Sequence, residues 1–506
     1  MSRSESKHIV IVGAGPGGLT CAMILANRGF KVTVVEAKDR VGGRNATLQL
    51  GPYVFDTGPT FLMLKDVLDE VFKESGTSTH AELETPRLDP MYRLAFKDRQ
   101  IEAYNDPERM KDEIERCFPG HGAQYDRFVE QERTRFKRLF PCLQKSYHRA
   151  VTLLHPDLLK AIPSLGLGRS LFDIMHRVYG DEKLALSFTF QSKYLGMSPW
   201  ECPGLFAMIP YIEHAYGIFH VTGGLSRISE AMSEVAVRNG AVVQCVRPVK
   251  RVLVKGRKAV GVELEDGEKI EADDVVLNAD FGYAATTLFD PGVLRTYTPR
   301  RLEKTKYSCS TFMLYLGLDT VYDLRHHTIF FAEDYRSNVN AIFRGDRLTN
   351  DISFYIRNSV VTDPQVAPKG HSAIYVLVPV PNLRGKPDWE KDAGSFRENV
   401  LSKMESRAGM RGLREHIREE QVIVPGDWKD RYNCYAGATF NLAHNISQMI
   451  YWRPHNQFEE LDNCYLVGGG THPGSGLPTI YESGRIAANL ISRKHKVVFV
   501  SGNLHV

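Results

Sequence analysis

The run of residues 8–44 constrains the fold of this chain more than any other stretch. It reads as a strand, the glycine turn Gly13-Ala14-Gly15-Pro16-Gly17-Gly18, a helix, and a second strand that ends at Glu36. Gly13 permits a tight turn, Gly15 lets the backbone approach a pyrophosphate, and Gly18 lets the helix pack closely on the sheet. Phosphates would lie at the positive end of the helix, and Glu36 would accept hydrogen bonds from a ribose. The pattern predicts a Rossmann-like dinucleotide site that disfavours a 2′-phosphate.

A second glycine loop lies near the other end of the chain. Residues 465–467 read as a strand, residues 468–476 form a loop with five glycines, and a helix follows. Pro478 suits the start of that helix, whose positive end would stabilise negative charge on a bound group. The two ends of the chain are therefore predicted to hold one dinucleotide between them.

Residues 39–44, with the sequence Asp-Arg-Val-Gly-Gly-Arg, add another glycine turn directly after Glu36. This turn resembles the glycine-doublet signature of the flavin amine oxidase and carotenoid desaturase superfamily, which ordinary NAD-binding domains lack. The resemblance implies that the dinucleotide is FAD. It also implies that Gly43 and Arg44 contact the cofactor, with Arg44 beside the phosphates.

The closing third of the chain resembles the bacterial carotenoid desaturase family, which includes phytoene and diapophytoene desaturases. The resemblance is carried by segments 437–445, 451–456 and 466–478, together with segment 56–60. It implies further FAD contacts from Pro59, Thr60, the backbone of Val246, Gly470, Thr471, Pro478 and Thr479. Residues 477–483 are bulkier than the version typical of C40 phytoene desaturases, so the expected substrate is a C30 or a C40 carotene precursor.

The order of elements predicts an α/β fold with a two-part Rossmann-like FAD-binding domain, a mixed-sheet substrate domain and a helical lid. The FAD-binding domain is expected at 1–75, 222–300 and 456–506, with a helix at 226–238 and a ribbon that turns at 255–256 and 266–267. Alternating apolar and polar positions place the substrate sheet at 76–106 and 301–455. The remaining residues, 107–221, have a helical pattern broken by prolines and form the lid.

The composition argues against several classes of protein. The formal net charge is +4 and the 64 Lys and Arg residues are dispersed, so nucleic-acid binding gains no support. The eight cysteines form no CxxC pair and the 17 histidines form no HExxH array, so we expect reduced thiols and no metal site. The polar start at residues 1–7 runs straight into the first strand, and no apolar stretch reaches the roughly 20 residues that a bilayer requires. These features favour a cytoplasmic protein.

Part of the lid mixes apolar residues with long cations. Leucine, isoleucine and other apolar residues recur from 153 to 175, and the cations between and around them are Lys145, Arg149, Lys160, Arg169 and Arg177. Such a stretch is typical of a segment in a membrane interface, and a lid with a basic outer face has the same composition. The family resemblance favours the first alternative, a protein bound peripherally to a membrane surface.

The resemblance also implies the chemistry. A carotene precursor has no polar handle, so an apolar tunnel would recognise this polyene substrate by length and shape. Hydride loss to the flavin and proton loss from the neighbouring carbon would extend the polyene, and a quinone or oxygen would accept the electrons. His444 and Glu213 are the candidate catalytic residues, and a structural role as a loop-fixing hydrogen bond is open for each. Asp56 is expected to cap the turn at 57–58.

Three functions fit the sequence. The favoured one is an FAD-dependent desaturase of a C30 or C40 carotene precursor. The second keeps the flavin and changes the reaction to oxidation of a terminal methyl group, isomerisation of a polyene, or oxidation of an amine. The third is a lipid carrier like the GDP-dissociation inhibitors, which share the fold without flavin, but Glu36 and the loop at 468–476 argue against it.

Overall fold

The computed structural model describes residues 6–500 of the chain. Its strands are β1 (His8–Val12), β2 (Lys31–Val35), β3 (Thr47–Leu50), β4 (Tyr53–Asp56), β5 (Tyr92–Ala95), β6 (Gln100–Ala103), β7 (Val242–Gln244), β8 (Val249–Lys255), β9 (Lys258–Leu264), β10 (Lys269–Glu271), β11 (Asp274–Leu277), β12 (Ser310–Leu318), β13 (His327–Phe330), β14 (Phe354–Asn358), β15 (Ser372–Val380), β16 (Ile417–Ile423) and β17 (Cys464–Leu466). Its α-helices are α1 (Pro16–Asn27), α2 (Lys65–Glu74), α3 (Thr79–Glu82), α4 (Pro107–Cys117), α5 (Gln124–Leu143), α6 (Pro156–Ala161), α7 (Leu171–Tyr179), α8 (Glu182–Ser187), α9 (Met208–Tyr216), α10 (Ser226–Arg238), α11 (Phe281–Thr287), α12 (Pro299–Lys304), α13 (Tyr335–Arg344), α14 (Trp389–Arg407), α15 (Leu413–His416), α16 (Pro425–Tyr432) and α17 (Leu477–Lys494).

A five-stranded parallel sheet, in the order β17-β11-β1-β2-β7, forms the core of one half of the protein. β1 and β2 are nearly continuous apolar runs, as is typical of parallel strands that are covered on both faces. Val12 at the end of β1 lies in register with both Val35 and Leu277. α10 and α17 pack against α1. The carboxyl ends of three strands therefore meet where the first glycine turn begins.

The helix and the antiparallel ribbon within residues 226–271 agree with the sequence-based expectation. The helix expected at 226–238 is α10, and it ends at Asn239 with Gly240 in the left-handed region at φ 96°. The ribbon β8 to β10 is antiparallel, and its turns carry Gly256 and Gly267 with φ of 62° and 87°. These predicted elements are confirmed.

The second large sheet has seven strands, in the order β16-β12-β15-β14-β13-β5-β6. β12 is buried along its whole length between β15 and β16. β5 comes from the chain before the helical region and pairs in parallel with β13, so the sheet is mixed. The hairpin of β3 and β4 packs on β15 and β16 of this sheet.

The part of the chain from 107 to 221 is helical, as expected, and contains α4 to α9. α5 packs against α6, α7 and α9. Directly after α5, the Gln144 amide donates to Glu482 of α17 at 3.0 Å. Glu482 also pairs with Arg485, which in turn pairs with Glu74 of α2. This buried set of charges joins the helical region to the half of the protein that contains the parallel sheet.

The strands of each sheet fall within the ranges expected for the two domains. The five parallel strands lie in 1–75, 222–300 and 456–506, and the seven strands of the mixed sheet lie in 76–106 and 301–455. The division of the chain into an FAD-binding domain, a substrate domain and a lid stays a prediction.

All eight cysteines lie in the described part of the chain, and none of them is in a disulfide. Six are buried, and burial raises the pKa of the Cys21 thiol to about 12, which keeps it protonated. Between residues 6 and 500, no helix combines the length and the apolar character that crossing a bilayer needs.

Candidate active site

One continuous cavity runs from the carboxyl edge of the parallel sheet to the mixed sheet. Its first part is walled by the glycine turn, the end of β2 and residues 278–280, and its middle part by residues 58–61, 439–441 and 475–478. Its far part is walled by mostly apolar and aromatic side chains: Met63, Phe190, Tyr194, Met313, Ile329, Phe354, Tyr355, Tyr375 and Leu377. The cavity therefore joins a polar end, lined by backbone groups, to an end lined by apolar and aromatic side chains.

α1 begins at the polar end of this cavity without a side-chain cap. Gly15 is its N-cap residue, Pro16 is its first residue, and its first turn carries no acidic side chain. The first N–H groups are left for an anion, which suits a pyrophosphate. Gly13 has φ of 96°, and a Cβ there would lie 3.2 Å from the carbonyl oxygen of Asn278, so the turn favours glycine.

The Glu36 carboxylate holds this turn in shape. Its Oε2 accepts from the Ala14 N–H at 2.7 Å, and its Oε1 accepts from the Lys38 N–H at 2.9 Å. Glu36 is largely buried and lines the cavity, and each carboxylate oxygen has a second lone pair. The same carboxylate can therefore fix the turn and accept hydrogen bonds from a ribose.

α17 presents a second uncapped N-terminus to the cavity. Gly476 is the N-cap residue, with φ of 107°, and Leu477 and Pro478 open the 18-residue helix. No side chain caps it and its first turn carries no acid. The positive end of the helix faces the cavity, where it would stabilise negative charge.

Arg44 lines the cavity and directs its guanidinium at the segment after α16. Its Nη1 donates to the carbonyl oxygen of Thr439 at 2.6 Å. With its oxygen turned toward Arg44 and its nitrogen toward Asp280, the Asn441 amide accepts from the guanidinium at 2.7 Å and donates to the carboxylate at 2.5 Å. Burial raises the pKa of Asp280, and the nearby Arg44 opposes that rise. Arg44 thus braces the loop across the cavity, and its contact with phosphates stays a prediction.

Two tyrosines of the mixed sheet hold the segment after β4 against the cavity. The Tyr375 hydroxyl donates to the carbonyl oxygen of Gly58 at 2.8 Å, and the Tyr355 hydroxyl donates to Thr60 Oγ1 at 2.9 Å. Pro59 and Thr60, both predicted to contact the cofactor, line the cavity. The mixed sheet therefore positions part of the expected cofactor wall.

The expectation that Asp56 caps the turn at 57–58 is wrong. Its Oδ1 accepts from the Ser226 N–H at 2.8 Å, and its Oδ2 accepts from the Arg357 guanidinium at 2.5 Å. Arg357 lies in β14 and is almost fully buried, so its charge requires a carboxylate partner. Asp56 therefore joins β4 to α10 and β14 instead of closing a local turn.

His444 lies behind the second glycine loop and is not part of the cavity wall. Its Nε2 accepts from the Ser475 N–H at 3.0 Å, and its ring lies edge-on to Phe206 with the centroids 6.0 Å apart. Burial lowers the pKa of the imidazole well below its usual range, so the ring is neutral and Nε2 is an acceptor. Of the two roles expected for His444, this geometry favours the fixing of a loop.

Glu213 is enclosed one layer behind the cavity. Its Oε2 accepts from the Tyr92 hydroxyl at 3.0 Å and from the Gln191 amide at 2.7 Å. Tyr194, which does line the cavity, lies beside it. Burial raises the pKa of the Glu213 carboxyl to about 8, so the group is mostly protonated at neutral pH. Glu213 itself is not part of the cavity wall.

Three of the expected cofactor residues lie in or next to the loop at 468–476 but are not part of the cavity wall. Gly470 packs against Phe281, where a Cβ would lie 2.6 Å from the Phe281 Cβ. The Thr471 hydroxyl donates to the carbonyl oxygen of Pro454 at 2.5 Å. The Thr479 hydroxyl bonds to carbonyl groups of the turn that precedes α17. Their direct contact with FAD stays a prediction.

Val246 and two residues of the first glycine turn also lie outside the cavity wall. Val246 is exposed and has φ of 57°, and its N–H donates to the carbonyl oxygen of Lys38 at 2.8 Å. Ala14 is buried under Glu36, and Gly18 packs on Asn278, where a Cβ would lie 3.0 Å from the amide nitrogen. The structure therefore gives Gly18 the helix-packing role that the sequence predicts.

Arg453 holds the second glycine loop from behind, a role that the sequence did not indicate. Its guanidinium is fully buried, and burial lowers its pKa to about 9. It donates to five carbonyl oxygens, those of Leu442, Ala443, Gln448, Gly469 and Thr471. The only signal in the sequence was that segment 451–456 carried part of the family resemblance.

The cavity wall fits FAD. The two uncapped helix N-termini and the Glu36 carboxylate suit the pyrophosphate and the ribose, and the aromatic side chains of the far part suit an apolar substrate. A Cβ at Gly17 would lie 3.0 Å from the Gly468 N–H, so the glycine loops from the two ends of the chain touch. Both loops line the same cavity, and that they hold one dinucleotide between them stays a prediction.

Comparison with known proteins agrees with this geometry. Residues 16–492 match the family described as flavin containing amine oxidoreductase. The chain is 51% identical over 496 residues to the 4,4′-diapophytoene desaturase (4,4′-diapolycopene-forming) of a Methylomonas species, covering 98% of this chain and 97% of that protein. It is 39% identical to the all-trans-zeta-carotene desaturase of Myxococcus xanthus, covering 96% of this chain and 94% of that protein.

Solved structures have the same fold at low sequence identity. An oxidoreductase from Methanosarcina mazei matches with a TM-score of 0.62 and 18% identity, covering 94% of this chain and 99% of the other. A triple mutant of putrescine oxidase matches with a TM-score of 0.61 and 16% identity, covering 96% and 99%. The predicted fold class and the predicted flavin are confirmed. By its identity to the relatives above, the chain belongs to the carotenoid desaturases within the flavin-containing amine oxidoreductase family, and it is an FAD-dependent oxidoreductase that acts on CH–CH groups.

Proposed function

We propose that this protein desaturates a linear C30 carotene precursor of the diapophytoene type. The observation that carries the proposal is the 51% identity to a diapophytoene desaturase along nearly the whole chain. The apolar and aromatic wall of the far part of the cavity supports it, because a hydrocarbon offers only its surface for recognition. A C40 precursor is the alternative, since a phytoene desaturase of Rhodobacter capsulatus is 34% identical.

The residues of the cavity would hold FAD at one end and exclude water at the other. Bound FAD supplies the acceptor for the hydride of an allylic C–H bond. Glu36 would bind the ribose, the start of α1 would bind the pyrophosphate, and the start of α17 would stabilise negative charge. The remaining expected contacts, Gly43, Arg44, Pro59, Thr60 and Pro478, would lie along the same wall. Each CH₂ group buried in the far part would contribute about 0.8 kcal/mol, so affinity would follow the length of the substrate.

We also propose that the protein binds peripherally to a membrane through residues 150–167. Five of the fifteen exposed large apolar residues of the described chain fall in this stretch: Val151, Leu154, Leu159, Ile162 and Leu167. The neighbouring Arg149, Lys160 and Arg169 are exposed and would meet anionic headgroups. The substrate dissolves in bilayers, and a quinone there, or oxygen, would take the electrons.

Identification of the product tests the substrate. The purified protein would be loaded with FAD and mixed with liposomes that contain diapophytoene or phytoene. We expect faster loss of diapophytoene, with products that absorb at longer wavelength and have lost pairs of hydrogens by mass. Faster conversion of phytoene would contradict the C30 assignment. An oxygenated product or an unchanged number of double bonds would favour the alternative polyene chemistries.

A liposome sedimentation assay tests the membrane surface. Val151→Ser combined with Leu154→Ser and Leu167→Ser should lower binding to phosphatidylcholine vesicles that contain phosphatidylglycerol. Lys160→Glu combined with Arg169→Glu and Arg177→Glu should lower binding mainly to the anionic vesicles. Val321→Ser with Val361→Ser is the matched control, because both valines are exposed elsewhere. Equal binding of all variants at normal FAD content would contradict the proposal.

A further inference from the structure

Lys193 is a charged residue in an otherwise apolar part of the cavity wall. It belongs to the short 3-10 helix Phe190–Leu195, whose residues Phe190 and Tyr194 also line the cavity. The charged residues on the wall are Glu36, Lys38, Arg44, Asp280 and Lys193. Glu36, Lys38 and Asp280 belong to the dinucleotide end and Arg44 braces the middle part, whereas Lys193 shares its short helix with Phe190 and Tyr194 of the far part.

The surroundings of Lys193 favour its neutral form. Its Nζ lies 4.9 Å from the centroid of the Tyr335 ring, and the thiol near it, Cys309, stays protonated because burial raises the Cys309 pKa to about 12. Among the described residues, no carboxylate forms an ion pair with Lys193. Removal from water lowers the pKa of Lys193 to about 7, so much of the amine carries a free lone pair at physiological pH.

A hydrocarbon substrate gives this amine nothing to bind, but the desaturation reaction releases a proton in the same cavity. When a C–H bond beside the polyene is lost as hydride, the delocalised cation that remains must lose a proton from the neighbouring carbon before the double bond closes. Lys193 belongs to the cavity wall and Tyr335 does not, so the flexible four-carbon side chain of Lys193 would turn Nζ from the Tyr335 ring toward the substrate. There an unprotonated amine can accept that proton, and a protonated one would repel the developing cation.

We propose that Lys193 is a catalytic base that takes this proton from the substrate, an inference that rests on the proposed desaturase function. The lone pair of Nζ forms the new N–H bond, the C–H bond next to the cationic carbon breaks, and its electron pair becomes the second bond of the new C=C. Bound FAD would supply the oxidant, as the acceptor of the hydride and its two electrons. The resulting ammonium group is stabilised by the Tyr335 ring and returns its proton to water between turnovers.

Single-turnover mixing under anaerobic conditions tests the role in catalysis. FAD-loaded protein would be mixed with diapophytoene in phosphatidylcholine liposomes, and flavin reduction and product would be followed together from pH 6 to pH 9. For the wild type we expect the rate to fall as the pH falls below about 7, because Lys193 becomes protonated. Lys193→Met should be roughly 10²–10⁴-fold slower at pH 8 and should lack that pH dependence. Lys193→Arg should be at least as slow, because the arginine guanidinium stays protonated and cannot accept a proton. Lys183→Met, at an exposed lysine paired with Asp98, is the control and should match the wild type.

A labelling experiment tests the amine without turnover. Reductive methylation followed by mass spectrometry should modify Lys193 with a midpoint near pH 7, far below the ordinary lysine value of about 10.4, and diapophytoene should protect it. A labelling midpoint near pH 10 would overturn the proposal even if no substrate were turned over. Wild-type rates in Lys193→Met or in Lys193→Arg would also overturn it, as would a change in KM without a change in kcat. Absence of any desaturated product with the wild-type protein would instead refute the desaturase function.

Discussion

The Arg453 guanidinium donates through Nη2 to the carbonyl oxygen of Gly469 at 2.7 Å, from the side of the glycine loop that faces away from the cavity. The same side chain donates through Nε to the carbonyl oxygen of Thr471 at 3.0 Å. A single buried cation therefore fixes the backbone of the loop that precedes α17. Among the described residues no carboxylate pairs with this cation, so its charge is balanced by carbonyl dipoles, and it braces the loop together with the hydrogen bonds of His444 and Thr471.

Arg453→Met should detach this loop. Five carbonyl groups would lose a donor, and we expect a loss of at least about 3 kcal/mol in the free energy of unfolding and a lower FAD content. Arg453→Lys should recover part of both, because an ammonium group keeps the charge and three donors. Urea denaturation and the ratio of flavin absorbance to protein measure the two effects. The control is Arg300→Met, at an exposed arginine, and full FAD content in Arg453→Met would contradict the assigned role.

Glu36→Ala should weaken FAD binding by about 10²-fold, because it removes the predicted ribose acceptor and the two hydrogen bonds that shape the glycine turn. Glu36→Arg should be worse, since it places a cation beside Lys38 and cannot accept a hydrogen bond. Titration of the apoprotein with FAD, followed by flavin fluorescence, gives the affinities. Glu265→Ala, at an exposed acid, is the control. Equal affinity in Glu36→Ala and the wild type would show that Glu36 does not hold the ribose.

Local sequence patterns were sufficient to predict the glycine turn and the helices whose backbone forms part of the site. The strand, glycine turn and helix at residues 8–27, and the helix at 226–238, are set by contacts between near neighbours and by the conformational freedom of glycine. The loop at 468–476 was predicted from the same kind of pattern, a strand followed by a glycine loop and a helix, and its Gly468 lies against Gly17.

The side chains that brace the site could not be predicted in the same way. Asp56 pairs with Arg357, which is 301 positions away, so no local rule distinguishes this ion pair from a turn cap. Lys193 lies in a short 3-10 helix, and its position on an apolar wall depends on how that helix packs against the mixed sheet. In each case the role of an ionisable group is set by its tertiary surroundings.

Glu213 should make the stability of the protein depend on pH. Its pKa is about 8 in the folded protein and about 4.5 when exposed, so the stability that it contributes is present in full below pH 4.5 and is lost as the pH rises through 8. Between pH 5 and pH 8, the free energy of unfolding of the wild type should fall by up to about 4 kcal/mol relative to that of Glu213→Gln. Urea denaturation at both pH values measures this difference, with Glu265→Gln as the exposed control. Parallel pH dependence in wild type and Glu213→Gln would mean that Glu213 is ionised in its buried site.

His444 should act on the reaction through Ser475 and not as an acid or a base. Its neutral ring accepts the Ser475 N–H at 3.0 Å, so His444→Ala leaves that N–H without its acceptor and should loosen the turn before α17. We expect lower FAD affinity and, in fully FAD-loaded protein, a loss of rate smaller than the roughly 10²–10⁴-fold that removal of a general acid or base costs. His444→Gln keeps a hydrogen-bond acceptor and should restore most of the affinity and the rate, which a base would not allow. The measurement is anaerobic flavin reduction in fully FAD-loaded protein with diapophytoene. Abolished reduction in both variants at full FAD content would make His444 an essential catalyst.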